Sequence, residues 1–318
     1  MRQGIDQEIL NQVVDRYRLK MDDLNFIGGF NNYVYEYQKD SNSYILRIAK
    51  DSLRDPGAIR GEVDWINYLY NQGLNVCYAI NSARNNLVEV METEEHNYSI
   101  VAFIKAQGRR PTDQDWNKNL FYKMGQLVGK MHNLTKDYQP TRSRDKRPEW
   151  DDELDNFIAK HRKLLDIDIL DKFNELRQYP EGFSKDKDSY GLVHCDVHAG
   201  NFFIGNTGQL QLFDFDDSQY SWYVEDIAMA LFYGIFDKGQ EKKDIEEAQY
   251  FYNHFMDGYS SQNSIDKKWL KEIPYFLKQR EINLYIAFMG AGMLNVEFMK
   301  DRRFLIENDI PYIDINFV

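Results

Sequence analysis

A chain of 318 residues with 43% hydrophobic residues is long enough for two lobes sharing one cleft and a sizeable core. Its 51 acidic against 39 basic residues leave a formal net charge of −12, which excludes general nucleic-acid binding, because that needs a basic surface to neutralise phosphates. No apolar run approaches the ~20 residues of a membrane span, the start Met1 to Leu10 is polar rather than a signal peptide, and two cysteines do not make a disulfide scaffold, so a cytoplasmic protein without a membrane partner is expected.

Leu24-Asn25-Phe26-Ile27 leads into Gly28-Gly29-Phe30-Asn31-Asn32, and Tyr33 to Tyr37 alternates as a strand, so the spacing predicts a flexible hairpin. Backbone N–H groups of such a turn can cover phosphates, although a hairpin of this composition is usually only a turn. After a polar turn at Lys39 to Asn42, Ser43 to Ile48 reads as a third strand and carries Arg47. Pro56-Gly57 opens a helix to about Asn71, with Ile59, Val63, Ile66, Leu69 and Tyr70 at helical spacing and Glu62 among them. Short apolar runs, Asn75 to Ile80 and Leu87 to Met91, precede a strand from Tyr98 to Ile104 that ends in Lys105-Ala106-Gln107-Gly108-Arg109.

From residue 112 onward the pattern turns helical, first at Trp116 to Leu134, where His132 reads as structural. Thr135 to Glu149, with Arg142, Arg144, Lys146 and Arg147, reads as a solvated loop, and Trp150 to about Arg177 as a helix. Pro180 and Gly182 break that pattern before a charged connector, Glu181 to Ser189. After Asp226 the chain continues as helices, Ile227 to Phe236, Glu246 to Tyr259 and Tyr275 to Phe298, whose Tyr, Phe and Met content indicates core.

The segment His194-Cys195-Asp196-Val197-His198-Ala199-Gly200-Asn201, followed by Asp214-Phe215-Asp216-Asp217, carries the chemistry. A kinase catalytic loop needs an aspartate to accept the substrate hydroxyl proton, an asparagine to hold a metal ion, and a second aspartate to grip the Mg²⁺ that bridges the nucleotide phosphates. Asp196, Asn201 five positions on, and Asp214 thirteen beyond that reproduce the order and spacing. Phe202 to Gly205, a turn at Asn206-Thr207-Gly208, and Gln209 to Phe213 form a short hairpin that sets both metal ligands at one end. His194, Cys195 and His198 as zinc ligands compete with this reading, but they share one short segment and the distant Cys77 lacks the usual pair spacing. A calcium loop competes too, without the alternating acidic pattern and closing glutamate of an EF-hand.

Together these residues resemble the aminoglycoside phosphotransferase and choline kinase family, protein-kinase-like enzymes that phosphorylate small molecules. The family's loop commonly reads His-Gly-Asp-x-His-x-x-Asn, which His194, Asp196, His198 and Asn201 match. Cys195 departs from the usual glycine, a departure that is mild at ordinary backbone angles and strained where φ is positive. Phe213 to Asp217 resembles the metal-binding segment of many bacterial members, and Val224-Glu225-Asp226-Ile227-Ala228 the helix start that follows. The resemblance implies an α+β, bilobal protein-kinase-like fold, with a small antiparallel-sheet N-terminal lobe (1–105) and a larger, mostly helical C-terminal lobe (106–318).

By the same resemblance, ATP or GTP is the donor and Mg²⁺ the cofactor, Asp196 is catalytic, Asn201 and Asp214 bind the metal, and Asp226 braces the loop. Upstream, Gly28, Gly29, Phe30, Asn31 and Asn32 would cover the phosphates, and Arg47 takes the slot where kinases keep a lysine, with Glu62 as its partner. Backbone groups of Ala102, Phe103 and Ile104 would meet the adenine edge, between Ile45 above and Phe203 below, and Arg109 is a second basic group placed for the nucleotide. The acidic balance suits a neutral or cationic small-molecule hydroxyl acceptor, such as an amino alcohol, aminosugar or antibiotic. The alternative is a non-catalytic nucleotide-binding regulatory protein, a pseudokinase, against which intact Asp196, Asn201 and Asp214 count; the lack of an Ala-Pro-Glu segment argues against a protein kinase.

Overall fold

The computed structural model describes residues 5–29, 32–51, 55–93, 96–152, 155, 158–159, 162–164, 167–235, 244–290, 292 and 297–318. Phe30 and Asn31 of the glycine-rich hairpin lie outside them. The chain opens on a helix that the polar start did not suggest, α1 (Gln7–Tyr17), which Asp6 caps by accepting the Glu8 N–H at 2.9 Å. Ile9, Val13 and Tyr17 form its buried face and pack with Leu46, Ile48 and Ile100 of the sheet.

That sheet has six antiparallel strands among the described residues: β1 (Asn25–Gly28), β2 (Tyr33–Lys39), β3 (Asn42–Lys50), β4 (Ala79–Ile80), β5 (Glu89–Glu92) and β6 (Asn97–Ile104). Their order is β1-β2-β3-β6-β4, with β5 also on β6. The helix α2 (Pro56–Asn71) interrupts the strands, and its start is fixed by Asp55, which accepts the Gly57 and Ala58 N–H groups while Pro56 fills the first turn. Its buried face carries Ile59, Val63, Ile66 and Leu69, and Glu62 is buried among them.

Helices dominate the remainder: α3 (Lys118–Thr135), α4 (Ile167–Gln178), α5 (Tyr223–Gly234), α6 (Ile245–Ser260), α7 (Lys267–Leu270), α8 (Ile273–Gly290) and α9 (Glu297–Glu307). Between them β7 (Tyr190–Val193) pairs with β10 (Gln219–Trp222), and β8 (Phe202–Ile204) forms a hairpin with β9 (Leu210–Leu212). Two backbone stitches join this part to the sheet segment. Leu212 donates to the Asn75 carbonyl at 3.1 Å while Cys77 donates to the Leu212 carbonyl at 2.9 Å. Arg109 and Ile204 exchange both hydrogen bonds at 3.1 and 2.8 Å. The second stitch explains Gly108, which has φ of 105° and lies so close that a Cβ would sit 2.1 Å from the Ile204 carbonyl oxygen.

Three sequence expectations need correcting. Thr135 to Glu149 is not simply a solvated loop: Arg142 and Arg144 are exposed, but Arg147 is buried and donates to the Ser218 and Asp216 carbonyls, each at 2.6 Å. A guanidinium with enough carbonyl partners survives burial that composition alone does not suggest. Trp150 sits in a turn, with Arg162–Leu164 as a 3-10 turn before α4, so Trp150 to Arg177 is no single helix. The last long helix ends at Gly290, and Glu297–Glu307 is a separate element.

Candidate active site

The segment between β7 and β8 is held in place by one buried carboxylate. Asp226, in the first turn of α5, accepts the Cys195 N–H at 2.7 Å on Oδ1 and the His194 N–H at 2.9 Å on Oδ2. His132 Nε2 contacts the same Oδ2 at 3.0 Å, and its Nδ1 lies 3.0 Å from the Tyr259 hydroxyl. Asn263 donates to that hydroxyl at 2.9 Å, so Tyr259 donates to Nδ1 and the His132 ring keeps its proton on Nε2, facing Asp226. Burial opposes the charge of Asp226, but these donors outweigh it and hold the carboxyl below the usual range. The expected bracing of the loop by Asp226 is therefore present, and His132 is structural as its position on α3 suggested.

Cys195 has φ of 64°, the left-handed region, which answers why glycine is common there. Its buried thiol is pushed well above its ordinary pKa by desolvation and by neighbouring Glu225 and Asp226. His194 is buried, with Nε2 against the Phe213 carbonyl at 3.2 Å and Nδ1 accepting the Asp196 N–H at 3.2 Å. Burial lowers its pKa, so the ring is neutral. His198 Nδ1 accepts the Gly200 N–H at 2.9 Å, which directs the Nε2 proton to Asp196 at 3.2 Å. The three zinc candidates thus have three separate tasks in the loop.

Asp196 is the focus of the loop. Asn201 Nδ2 donates to its Oδ2 at 2.8 Å and to its carbonyl at 2.9 Å, while Arg280 Nη2 reaches Oδ1 at 3.0 Å. Burial alone would raise the Asp196 pKa; the His198 hydrogen bond and the Arg280 cation override it and hold the carboxyl well below the usual range. Arg280 was not legible in the sequence, since it stands on α8 far from any motif.

The β8–β9 hairpin brings the second aspartate to the same place, with the Phe213 N–H donating to the Asn201 carbonyl at 2.9 Å. Asp214 follows with φ of 65°, a conformation that aspartate tolerates better than most residues. Its side chain is open to solvent yet hemmed in by protein mass. Desolvation, together with the Asp216, Asp217 and Glu62 carboxylates and against Arg47, pushes its pKa up to about 6.

On the sheet side Arg47 meets Glu62 through a two-pronged pair, Nη1 to Oε1 at 2.9 Å and Nη2 to Oε2 at 2.6 Å, with Glu62 fully buried. Asp216 Oδ1 lies 3.6 Å from Arg47 Nη1, and its Oδ2 accepts from Asn32 Nδ2 at 3.2 Å. Asn32, the described end of the glycine-rich hairpin, is therefore tied to the segment after Asp214. Gly28 and Gly29 have φ of 126° and 125°, and a Cβ on Gly29 would lie 2.2 Å from the Asn32 carbonyl oxygen, so the turn requires glycine there.

A cavity runs between the sheet and the β8–β9 hairpin, lined by Ile27, Val34 and Ile45 on one side and Phe203, Phe213 and Asp214 on the other. Ile45 and Phe203 thus face it as expected; Arg47 and Glu62 also line it. Of the expected adenine-edge residues, Phe103 and Ile104 are there, followed by Lys105 and Ala106, but Ala102 is not. Ala102 is fully buried and paired with Leu46 of β3 and Ile80 of β4. The Ile104 N–H donates to the Tyr78 carbonyl at 3.0 Å, so the edge that opens to the cavity is shifted towards Ala106. Arg109 points elsewhere, in a two-pronged pair with Asp115 at 2.6 and 2.8 Å; it is Arg110 that lines the cavity.

Residues 24–259 match the model of the phosphotransferase enzyme family. Amicoumacin kinase of Bacillus subtilis is 34% identical over 327 aligned positions, covering 98% of this chain and 95% of its own length. Among solved structures, an amicoumacin kinase, hAmiN, in complex with AMP-PNP, Ca²⁺ and Ami superposes with a TM-score of 0.89 at 33% identity over 99% of this chain and 96% of that one. A microcompartment-associated aminopropanol kinase has a TM-score of 0.73 at 19% identity, covering 95% and 94%, and the choline kinase LicA of Streptococcus pneumoniae 0.59 at 14%, covering 95% and 97%. The last two show the shared fold.

Proposed function

The chain belongs to this phosphotransferase family and is a small-molecule kinase that uses ATP and a divalent metal, and on that premise we propose that it transfers the γ-phosphoryl group to a hydroxyl of amicoumacin or of a small molecule like it. The acceptor class rests on the 34% identity to amicoumacin kinase over nearly the whole of both chains. The residue roles are supported by one chain of contacts: Asn201 holds Asp196, the Phe213 N–H meets the Asn201 carbonyl, and the next residue, Asp214, lines a cavity that Arg47 and Glu62 also line. A pseudokinase would be free to lose such a set.

In this reading the adenine edge lies along Ile104 to Ala106 and its faces against Ile45 and Phe203, in the division of labour expected of an N-terminal lobe to residue 105 and a C-terminal lobe from 106. Arg47, held by Glu62, positions the phosphates. Asn201 and Asp214 suit Mg²⁺, because the Asn201 amide nitrogen is committed to Asp196 and leaves its oxygen as a donor, and because a cation relieves the crowded carboxylate of Asp214. When bound, Mg²⁺ supplies charge neutralisation across the phosphate oxygens. Asp196 orients the acceptor hydroxyl. As the acceptor oxygen bonds to the γ-phosphorus, its proton passes to Asp196 and the bond to the bridging oxygen breaks, its electron pair leaving on ADP. Positioning and charge stabilisation supply the acceleration. Asp217 and Glu225 near Arg280 favour a neutral or cationic acceptor.

Mass spectrometry after incubation with Mg-ATP tests this on amicoumacin beside a panel of amino alcohols and aminosugars. A phosphorylated amicoumacin is expected. Phosphorylation of another panel member with amicoumacin untouched would overturn the acceptor and leave the chemistry standing.

A further inference from the structure

The Asp196 carboxylate is held from two sides, and one of the holders comes from a helix without any motif. Its Oδ2 accepts from Asn201 and from His198, at 2.8 and 3.2 Å, which uses both lone pairs of that oxygen. An acceptor hydroxyl must therefore come in on the Oδ1 side, where Arg280 Nη2 sits at 3.0 Å. The guanidinium is fixed in turn. It lies over the Tyr233 ring, 5.2 Å from the centroid, and its Nε donates to the Tyr233 hydroxyl at 3.1 Å. Tyr233, on α5, packs against His198 with ring centroids 4.8 Å apart, so two of the three donors named above, His198 and Arg280, rest on one aromatic ring.

The charged surroundings single out this contact. Asp217 from the metal-binding segment and Glu225 from α5 also act on Arg280, whose guanidinium hydrogen-bonds both Tyr233 and Asp196. The pair is not sealed in the core either. Both side chains keep 19% of their surface, at the place where an acceptor must arrive.

We propose that Arg280 is a positioning residue for phosphoryl transfer, which holds the Asp196 carboxylate in place and fixes Oδ1 as the oxygen that the acceptor hydroxyl meets. This rests on the reading of Asp196 as the group that orients the acceptor. A guanidinium on the base weakens it as a proton acceptor, and in a loose transfer that costs little. The O–P bond to ADP is largely broken before the hydroxyl gives up its proton to Oδ1, so a fixed, charged hydrogen-bond acceptor serves better than a strongly basic, mobile one.

The test uses water as acceptor, through slow Mg-ATP hydrolysis, and so needs no knowledge of the natural one. Arg280→Gln should lower kcat about tenfold or more, with KM for Mg-ATP within about twofold, since no contact to nucleotide is removed. Arg280→Lys should restore only part of kcat, because the ammonium keeps the charge without the fork. In an Asp196→Asn background Arg280→Gln should add no further loss.

Equal losses from Arg280→Gln in both backgrounds would overturn the proposal. Should Arg280→Gln fail to bind Mg-ATP, Arg280→Lys decides alone. A kcat loss from Arg280→Lys that is present in the wild-type background and absent in the Asp196→Asn background supports the proposal, and an equal loss in both, or none in either, overturns it. Wild-type turnover by Asp196→Asn alone is a different failure, that of the underlying reading.

Discussion

Asp226→Asn should destabilise the protein by about 3 to 5 kcal/mol while leaving its shape unchanged. The carboxylate accepts from three buried donors, the Cys195 and His194 N–H groups and His132 Nε2. An asparagine has one acceptor oxygen, and its best orientation keeps that oxygen where His194 and His132 converge. The amide nitrogen then faces the Cys195 N–H, donor against donor, which strands a buried backbone group at about 1–3 kcal/mol. The two surviving bonds also lose their charge assistance, worth roughly 1 kcal/mol each. Against a domain stability of about 5–15 kcal/mol the variant should still fold.

Urea unfolding at neutral pH, followed by circular dichroism without nucleotide, measures the change as a lower midpoint at an unchanged slope. Acidification supplies the sign check. The Asp226 carboxyl is depressed in the folded state, so its contribution is full above the unfolded aspartate value, about pH 4, and is lost as pH falls through the folded value. The deficit of the variant should therefore shrink in strong acid. A difference from wild type under about 1 kcal/mol at neutral pH would refute the reasoning, since it would mean that the loop does not depend on the bonds seen.

Three other outcomes follow. Asp214→Ala should weaken Mg-nucleotide binding in calorimetry, whereas Asp196→Ala should bind nucleotide nearly normally and lose activity by ~10²-fold or more; normal turnover by Asp196→Ala would mean the loop is misread. Mg-nucleotide affinity should fall as pH drops through about 6, where Asp214 takes up a proton, and this limb should vanish in Asp214→Asn; a flat profile in wild type from pH 5 to about 7 would remove Asp214 as the metal ligand. Cys195→Gly should keep fold and activity, the lost thiol packing being offset by relief of the positive φ, while β-branched Cys195→Val should lower stability by about 1–2 kcal/mol; a collapse of activity in Cys195→Gly together with loss of bound zinc would reinstate the metal site.

Much of the site could be read because its chemistry is local. Asp196, Asn201 and Asp214 lie within one loop and hairpin, so their spacing is itself the geometry. Arg47 and Glu62 were legible for a similar reason: strand alternation and helical periodicity place one on β3 and the other on the inward face of α2, which pack together. What the sequence hid depends on distant packing. Arg280 reaches Asp196 from 84 positions away, on a helix whose inward side mixes charged and apolar residues and so shows no distinct face. Arg147 looks like any cation in a polar stretch until the Ser218 and Asp216 carbonyls are seen around it. Ala102 was expected at the cavity and is not there because β4 pairs with it, and a two-residue strand leaves almost no sequence signal.

The central claim is that Asp196 orients the acceptor for direct transfer from ATP. Its most direct test is to supply γ-labelled ATP, Mg²⁺ and amicoumacin to wild type and to Asp196→Asn side by side, with nucleotide binding measured on both. Label should appear in amicoumacin with wild type and fall by ~10²-fold or more with the variant while binding is unchanged. Equal transfer by both proteins would contradict the account.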